Sequence, residues 1–502
     1  MYSYAVSMQI AEPVRVESGL LSGIPGSDPS VRVFKGIPFA APPVGDLRWR
    51  PPQPVKPWKG IRKADRFGPS AMQSNTGPFG PWTKEFIFEN AVSEDCLYLN
   101  VWTAAKKANA KQPVLVYIHG GAFTGGSGDV ALYNGEELAK RGLLIVTINY
   151  RLGVLGFLAH PELTKESNHN ASGNYGLLDQ VAALQWVHNN IAGFGGNPNN
   201  VTIAGQSAGA ASVHLLTASP LAKGLFQRAI AESGSGVWES TQPRTTAEQN
   251  GLKFAQEKGS DSIAKLRSLP VKDLLATSLV QHPFRFGPVV DGWFLPAKVT
   301  DIFAKSEQND VPTLTGLNAD EGSFYSNYGR LNANAFQKQA HDRYGEKAEA
   351  FLKLYPASSN EETEASQKTS ERDQGIIAAF LWAGIRARTA RTKAYLYYFA
   401  RAIPWPEHPE FGAFHTSEVP YVFHNLYLLD RPWEQADRQV ADTVSAYWIN
   451  FATKGDPNGR GLPRWPAFDF KNIRLMRLDK LPFPMLLPDK AKREFFTDIL
   501  LD

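Results

Sequence analysis

The chain has 502 residues, 43% of them hydrophobic and 20% charged, enough to close a large core, and no tract is polar enough to read as disordered. Its 53 Lys and Arg stand against 49 Asp and Glu, scattered rather than gathered into a stripe, so nucleic acid is not an expected partner. A lone cysteine, Cys96, excludes intrachain disulfides and multi-cysteine zinc sites.

Residues 1–11 lack a cationic start followed by an apolar run, and the longest apolar stretches, 376–385 among them, are far short of a membrane span. A cytoplasmic protein is expected, with a secreted or periplasmic mature chain as the alternative. Oligomeric state is left open. The first hundred residues set turn-rich pieces, such as Ile24-Pro25-Gly26 and Ala41-Pro42-Pro43, around short strand-like segments, which suits an antiparallel edge.

From there, runs rich in β-branched residues recur at 113–119, 143–149, 201–204, 229–232, 311–317 and 394–399 and read as buried strands. Helical spacing lies between them. It is clearest at 175–191, where Leu177, Leu178, Val181, Leu184, Val187 and Ile191 recur, and at 441–452. Alternation of this kind predicts an α/β fold with a mostly parallel sheet covered by helices on both faces. The stretch 245–368, charged helical patterns alternating with loops, is read as insertions over the ligand-binding edge. No repeat or linker cuts the chain, so residues 1–502 are expected to form one domain.

After the strand at 201–204 comes Gly205-Gln206-Ser207-Ala208-Gly209, then a helical run. Strand, sharp turn and helix in succession is the setting of a nucleophile elbow, in which glycines two before and two after the serine are a steric demand. Ser207 is the candidate nucleophile. The strand at 113–119 leads into His119-Gly120-Gly121-Ala122-Phe123, whose small residues let backbone N–H groups approach a substrate. The amides of Gly121, Ala122 and Ala208 are the candidate oxyanion donors.

In folds with such an elbow the acid and the histidine follow the serine in that order. Asp320 and Glu321, in Gly316-Leu317-Asn318-Ala319-Asp320-Glu321-Gly322, both fit the acid, and the residues themselves do not separate them. His341, His408, His415 and His424 lie beyond. His415 stands out because Gly412-Ala413-Phe414-His415-Thr416 follows a strand and carries small residues; His119, His188 and His214 precede the acid and read as structural. Trp82, Phe86 and Phe123 are candidate substrate-pocket walls.

Taken together, these motifs resemble the type B carboxylesterase family, the carboxylesterase and cholinesterase group of α/β hydrolases, and within it the bacterial p-nitrobenzyl esterases. The likeness is carried by Phe34-Lys35-Gly36-Ile37-Pro38-Phe39-Ala40, Ser93-Glu94-Asp95-Cys96-Leu97-Tyr98-Leu99-Asn100-Val101, the loop at 119–123, Gly173-Asn174-Tyr175-Gly176-Leu177-Leu178-Asp179-Gln180, and Phe194-Gly195-Gly196 leading to the elbow. The resemblance implies an α/β-hydrolase fold with antiparallel N-terminal strands. It implies Ser207 as nucleophile, Glu321 rather than Asp320 as acid, His415 as base, and Gly121, Ala122 and Ala208 as oxyanion donors. It further implies a structural ion pair of Arg48 with Glu94, and Asp179 and Ser233 in support of the site.

Two departures stand out. Gln206 replaces a glutamate common in relatives, which disfavours cationic choline esters. Cys96 lacks the partner it has in secreted animal relatives, which favours a bacterial-type member. The expected activity is hydrolysis of small-molecule carboxylic esters through an acyl-enzyme, with no metal or organic cofactor. Amide or carbamate hydrolysis by the same triad is the alternative, and a non-catalytic binding protein on this fold is the remote one.

Overall fold

The computed structural model describes residues 10, 12–74, 77–234, 241–275, 286–471 and 473–501. Of residues 1–11, all but Ile10 lie outside the described residues. Eleven strands among the described residues form one sheet. In chain order they are β1 (Ile24–Pro25), β2 (Arg32–Pro38), β3 (Tyr98–Thr103), β4 (Gln112–Ile118), β5 (Leu144–Ile148), β6 (Gly196–Gln206), β7 (Arg228–Glu232), β8 (Thr313–Asn318), β9 (Ala394–Phe399), β10 (Arg474–Leu478) and β11 (Phe483–Leu486). Their spatial order is β11-β10-β9-β8-β7-β6-β4-β5-β3-β2-β1.

From β5 to β10 every neighbouring pair is parallel. At one margin β3, β2 and β1 pair antiparallel, and at the other β11 does so. The expected antiparallel N-terminal edge is therefore present. The strand runs are buried on both faces: Leu144–Ile148 and Ala394–Phe399 are buried at every position, as a sheet covered twice requires. The helices that matter for the site are α1 (Tyr175–Asn190), α2 (Ala208–Ala218), α3 (Ala333–Tyr344), α4 (Asn360–Ala387), α5 (Gln435–Lys454) and α6 (Lys490–Leu501).

Strand order reverses about β4, with β5 on one side of it and β6 on the other. In open parallel sheets the crevice beyond the carboxyl ends of the strands at such a reversal is where ligands bind. Here β4 ends at Ile118, directly before the glycine loop, and β6 ends at Gln206, directly before Ser207. Strand β8 delivers Asn318 and the acid loop to the same edge. The Arg48–Glu94 pair implied by the resemblance forms, with two contacts of 2.7 Å, and Asp179 is buried against Arg151 at 2.7 Å.

Candidate active site

The turn between β6 and α2 holds Ser207 at φ 58°, ψ −122°, a left-handed-side conformation that an L-residue adopts only under constraint. The constraint is visible. A Cβ on Gly205 would lie 2.6 Å from the Gly209 carbonyl carbon, and one on Gly209 would lie 2.0 Å from the Ile118 oxygen. Both glycines are thus steric demands, the second because of β4 rather than because of its partner glycine. Ser207 N–H donates to Glu232 O (2.8 Å), and Ser207 O accepts from Ala211 N–H (2.9 Å), so both sides of the turn are anchored.

The glycine loop packs directly on this turn. A Cβ at Gly120 would meet the Ser207 Cβ at 3.0 Å and Gln206 O at 2.7 Å. Gly121, Ala122 and Phe123 all have positive φ, at 105°, 55° and 61°, held by Thr124 and Gly125 N–H groups that donate to Gly121 O at 2.9 Å. The N–H groups of Gly121, Ala122 and Ala208 have no acceptor among the described residues. For Ala208 this is the ordinary state of the first residue in a helix. His119 lies beneath the loop, stacked on Tyr150, with Nδ1 against Gly120 O at 2.8 Å. Burial pushes its pKa down to about 4, so it is a neutral packing group.

Glu321 and His415 meet: the His415 Nδ1 is hydrogen-bonded to Glu321 Oε2. The second carboxylate oxygen of Glu321 accepts from the Asn318 N–H at 2.7 Å. Burial works against both charges. It is outweighed at Glu321 by the His415 charge and hydrogen bond, the Asn318 amide and the Ser233 hydroxyl, which hold the carboxyl below its usual value. At His415 burial lowers the pKa, but the Glu321 charge and hydrogen bond, with Glu418 behind them, lift it above the ordinary histidine value. The Gln206 Nε2 sits 3.2 Å from the His415 Nε2. An amide nitrogen can only donate, so this ring nitrogen is the acceptor and Nδ1 carries the proton.

Asp320 does a different job. Its Oδ2 accepts from Ala413 N–H (2.9 Å), its Oδ1 from Tyr328 OH (2.9 Å) and from Arg372, and its own N–H donates to Ala413 O (2.9 Å). It therefore fastens the acid loop to the histidine loop, and Gly412, at φ 54°, leaves the room that the Asp320 carboxylate fills. The other histidines after the acid lie elsewhere: His341 near Glu349, His408 near Glu410, and His424 between Asp442 and Arg141.

Of the three pocket candidates, Trp82 donates its indole N–H to Thr416 Oγ1 (2.9 Å), beside His415, and packs at a tilt against Phe324 at 5.0 Å. Phe86 packs on Phe414 at 5.7 Å. Phe123 is buried against Phe157 at 5.2 Å. A cavity of about 740 Å³ opens beside Glu321 and His415, with Phe324, Tyr325 and Arg343 among its walls, and none of those three candidates lines it.

Sequence reasoning missed two features. Asn318 joins the acid to the base loop, donating its side-chain N–H to Phe414 O (2.9 Å) and to Glu418. Glu418 and Glu232 are both buried, close enough for the charge of Glu232 to act on Glu418, with Trp448 N–H donating to Glu232. The alternation Asn318-Ala319-Asp320-Glu321 could have suggested the first. Nothing in the spacing of Glu418 from His415 signals burial.

A strained serine turn, a loop of unsatisfied amides and a carboxylate-bound histidine at one sheet edge define an α/β hydrolase. Residues 11–494 match the family model described as the Carboxylesterase family. The chain is 38% identical to the fumonisin B1 esterase of Sphingopyxis macrogoltabida, covering 92% of this chain and 86% of that one. It is 34% identical to the Homo sapiens cocaine esterase, covering 91% and 86%. A solved PNB esterase superposes with a TM-score of 0.81 at 32% identity, over 96% of this chain and 99% of its own. The chain belongs to the carboxylesterase family and is a carboxylic ester hydrolase.

Proposed function

We propose that this esterase works by acyl transfer, with Ser207 as nucleophile, His415 as general base and Glu321 as the acid that orients it. His415 Nε2 takes the Ser207 proton as Oγ attacks the ester carbonyl. The resulting oxyanion lies toward the N–H groups of Gly121, Ala122 and Ala208, each such donor being worth about 2.7–4 kcal/mol of barrier. The imidazolium then protonates the leaving alcohol. Water enters and attacks the acyl carbonyl as His415 takes its proton; the acyl–Oγ bond then breaks, the imidazolium returns the proton to Ser207 Oγ, and the acid product departs.

Glu321 stays ionised throughout, fixing the tautomer with Nδ1–H and favouring the imidazolium as it forms. The observation that carries this reading is the Glu321–His415 hydrogen bond, which puts the ring proton on Nδ1 and turns the Nε2 lone pair, met here by the Gln206 amide at 3.2 Å, to the side where a base is needed. Hydrolysis of p-nitrophenyl butyrate by the parent and by Ser207→Ala tests it, with folding of both followed by circular dichroism. The folded variant is expected to lose at least about a thousandfold in kcat/KM; equal rates would overturn the assignment.

A further inference from the structure

His415 sits in a turn with an uncommon backbone. Ser417 N–H donates to Phe414 O at 2.9 Å, which makes His415 and Thr416 the two central residues, and Thr416 has φ 88°. A positive φ at the second central position belongs to glycine or asparagine, and for a β-branched residue it is an outlier. Such a conformation persists only where the surrounding structure over-determines it.

The structure that does so comes from far away in the chain. Thr416 Oγ1 accepts the indole N–H of Trp82 at 2.9 Å, across 334 positions. Trp82 is itself fixed: its backbone exchanges hydrogen bonds with that of Phe79 at 3.1 and 3.0 Å, and its ring packs against Phe79 at 4.8 Å and Phe324 at 5.0 Å. Phe324 in turn meets the His415 ring at 6.4 Å. Before the histidine, the loop is fastened at Ala413 by Asp320 and at Phe414 by Asn318. Directly after it, the fastening is the Thr416 side chain. A glycine there would relax the backbone but supply no acceptor for Trp82.

Resting on the assignment of His415 as base, we infer that Trp82 and Thr416 are positioning residues for it: their hydrogen bond holds the turn in its strained form and so fixes where the imidazole stands relative to Ser207. Trp82 serves the reaction through its N–H, apart from any contact of its ring with substrate. Relaxation to a negative φ at Thr416 would turn over the peptide between the two central residues and loosen the seat of the ring on which both proton transfers depend.

The test measures kcat and KM for p-nitrophenyl butyrate in variants whose folding is followed by circular dichroism. Thr416→Val keeps the shape and loses the acceptor. Its kcat should fall about ten- to a hundredfold with KM nearly unchanged, the scale expected when a catalytic group is displaced by up to about 1 Å. Thr416→Ser keeps the acceptor and should recover most of that loss. Trp82→Phe keeps an aromatic ring without the donor and should lower kcat alike. The double variant Trp82→Phe/Thr416→Val should be no slower than the slower single one, since both changes remove the same bond. Parental kcat in Thr416→Val, a loss carried by KM, equal losses in the Val and Ser variants, or single losses that multiply in the double variant overturns the inference. A folded parent no faster than Ser207→Ala overturns instead the catalytic assignment on which it rests.

Discussion

At His415 two forces oppose each other, burial against the cation and Glu321 in favour of it, and the second prevails. In the role of base proposed for it, His415 must be neutral to act, so a raised pKa moves the acidic limb of kcat/KM to higher pH. The limb is expected above about 6.5, with activity falling about tenfold per pH unit below it. Glu321→Gln removes the favouring charge. Its limb should drop while kcat falls by roughly a thousandfold or more, as for loss of the acid in other triads; an unmoved limb would mean the pair is not coupled. Gln206→Glu does the reverse. It sets a negative charge where a neutral amide now meets Nε2 at 3.2 Å, so the limb should rise by about one unit or more. No rise would show that this side chain turns away from the imidazole in solution.

The unit of the site is the strand end with its turn, and there the sequence was most legible. Apolar runs marked the strands from β4 to β9, and glycines two before and two after Ser207 marked the turn, because burial and steric demands act locally and leave a local pattern. What holds one turn against another was not legible. Asp320 and Glu321 are adjacent and chemically alike, and only the bridge of Asp320 to Phe414 in the histidine loop sends one to Ala413 N–H and the other to His415. Helix α5 likewise begins at Gln435 rather than near 441, because Glu434 and Asp437 close its first turn reciprocally. The element argument yields its own prediction. Gly209→Ala places a methyl group 2.0 Å from the Ile118 carbonyl, which is backbone and cannot move aside. The variant should lose about 3 kcal/mol or more in urea unfolding, together with esterase activity. A variant of parental stability would mean that the turn is far looser than its contacts imply.

At the scale of the whole molecule, the pair behind the site gathers distant parts of the chain. Glu232 comes from the end of β7 and Glu418 from beyond the histidine loop; Trp448 of α5 donates to the first and Asn318 of β8 to the second. Both carboxyls are buried, and burial lifts both pKa values, Glu418 being lifted further by the charge of Glu232. A carboxyl whose folded pKa lies above its unfolded value binds its proton more tightly in the folded state, so stability falls as pH rises past the unfolded value. The native state therefore holds a proton that the unfolded chain has given up, and the cost of keeping it grows with pH. Glu418→Gln carries a permanently neutral group of the same shape, still able to accept from Asn318. Its Tm relative to the parent should rise from about pH 5 and level off above about pH 8, the value to which burial and the charge of Glu232 push the Glu418 carboxyl up, while the two proteins respond alike in more acidic solution, where both carboxyls are protonated in either state. Parallel Tm curves between about pH 5 and pH 8 would mean that the pair is ionised or hydrated in the fold, and that the segments it joins are held by packing alone.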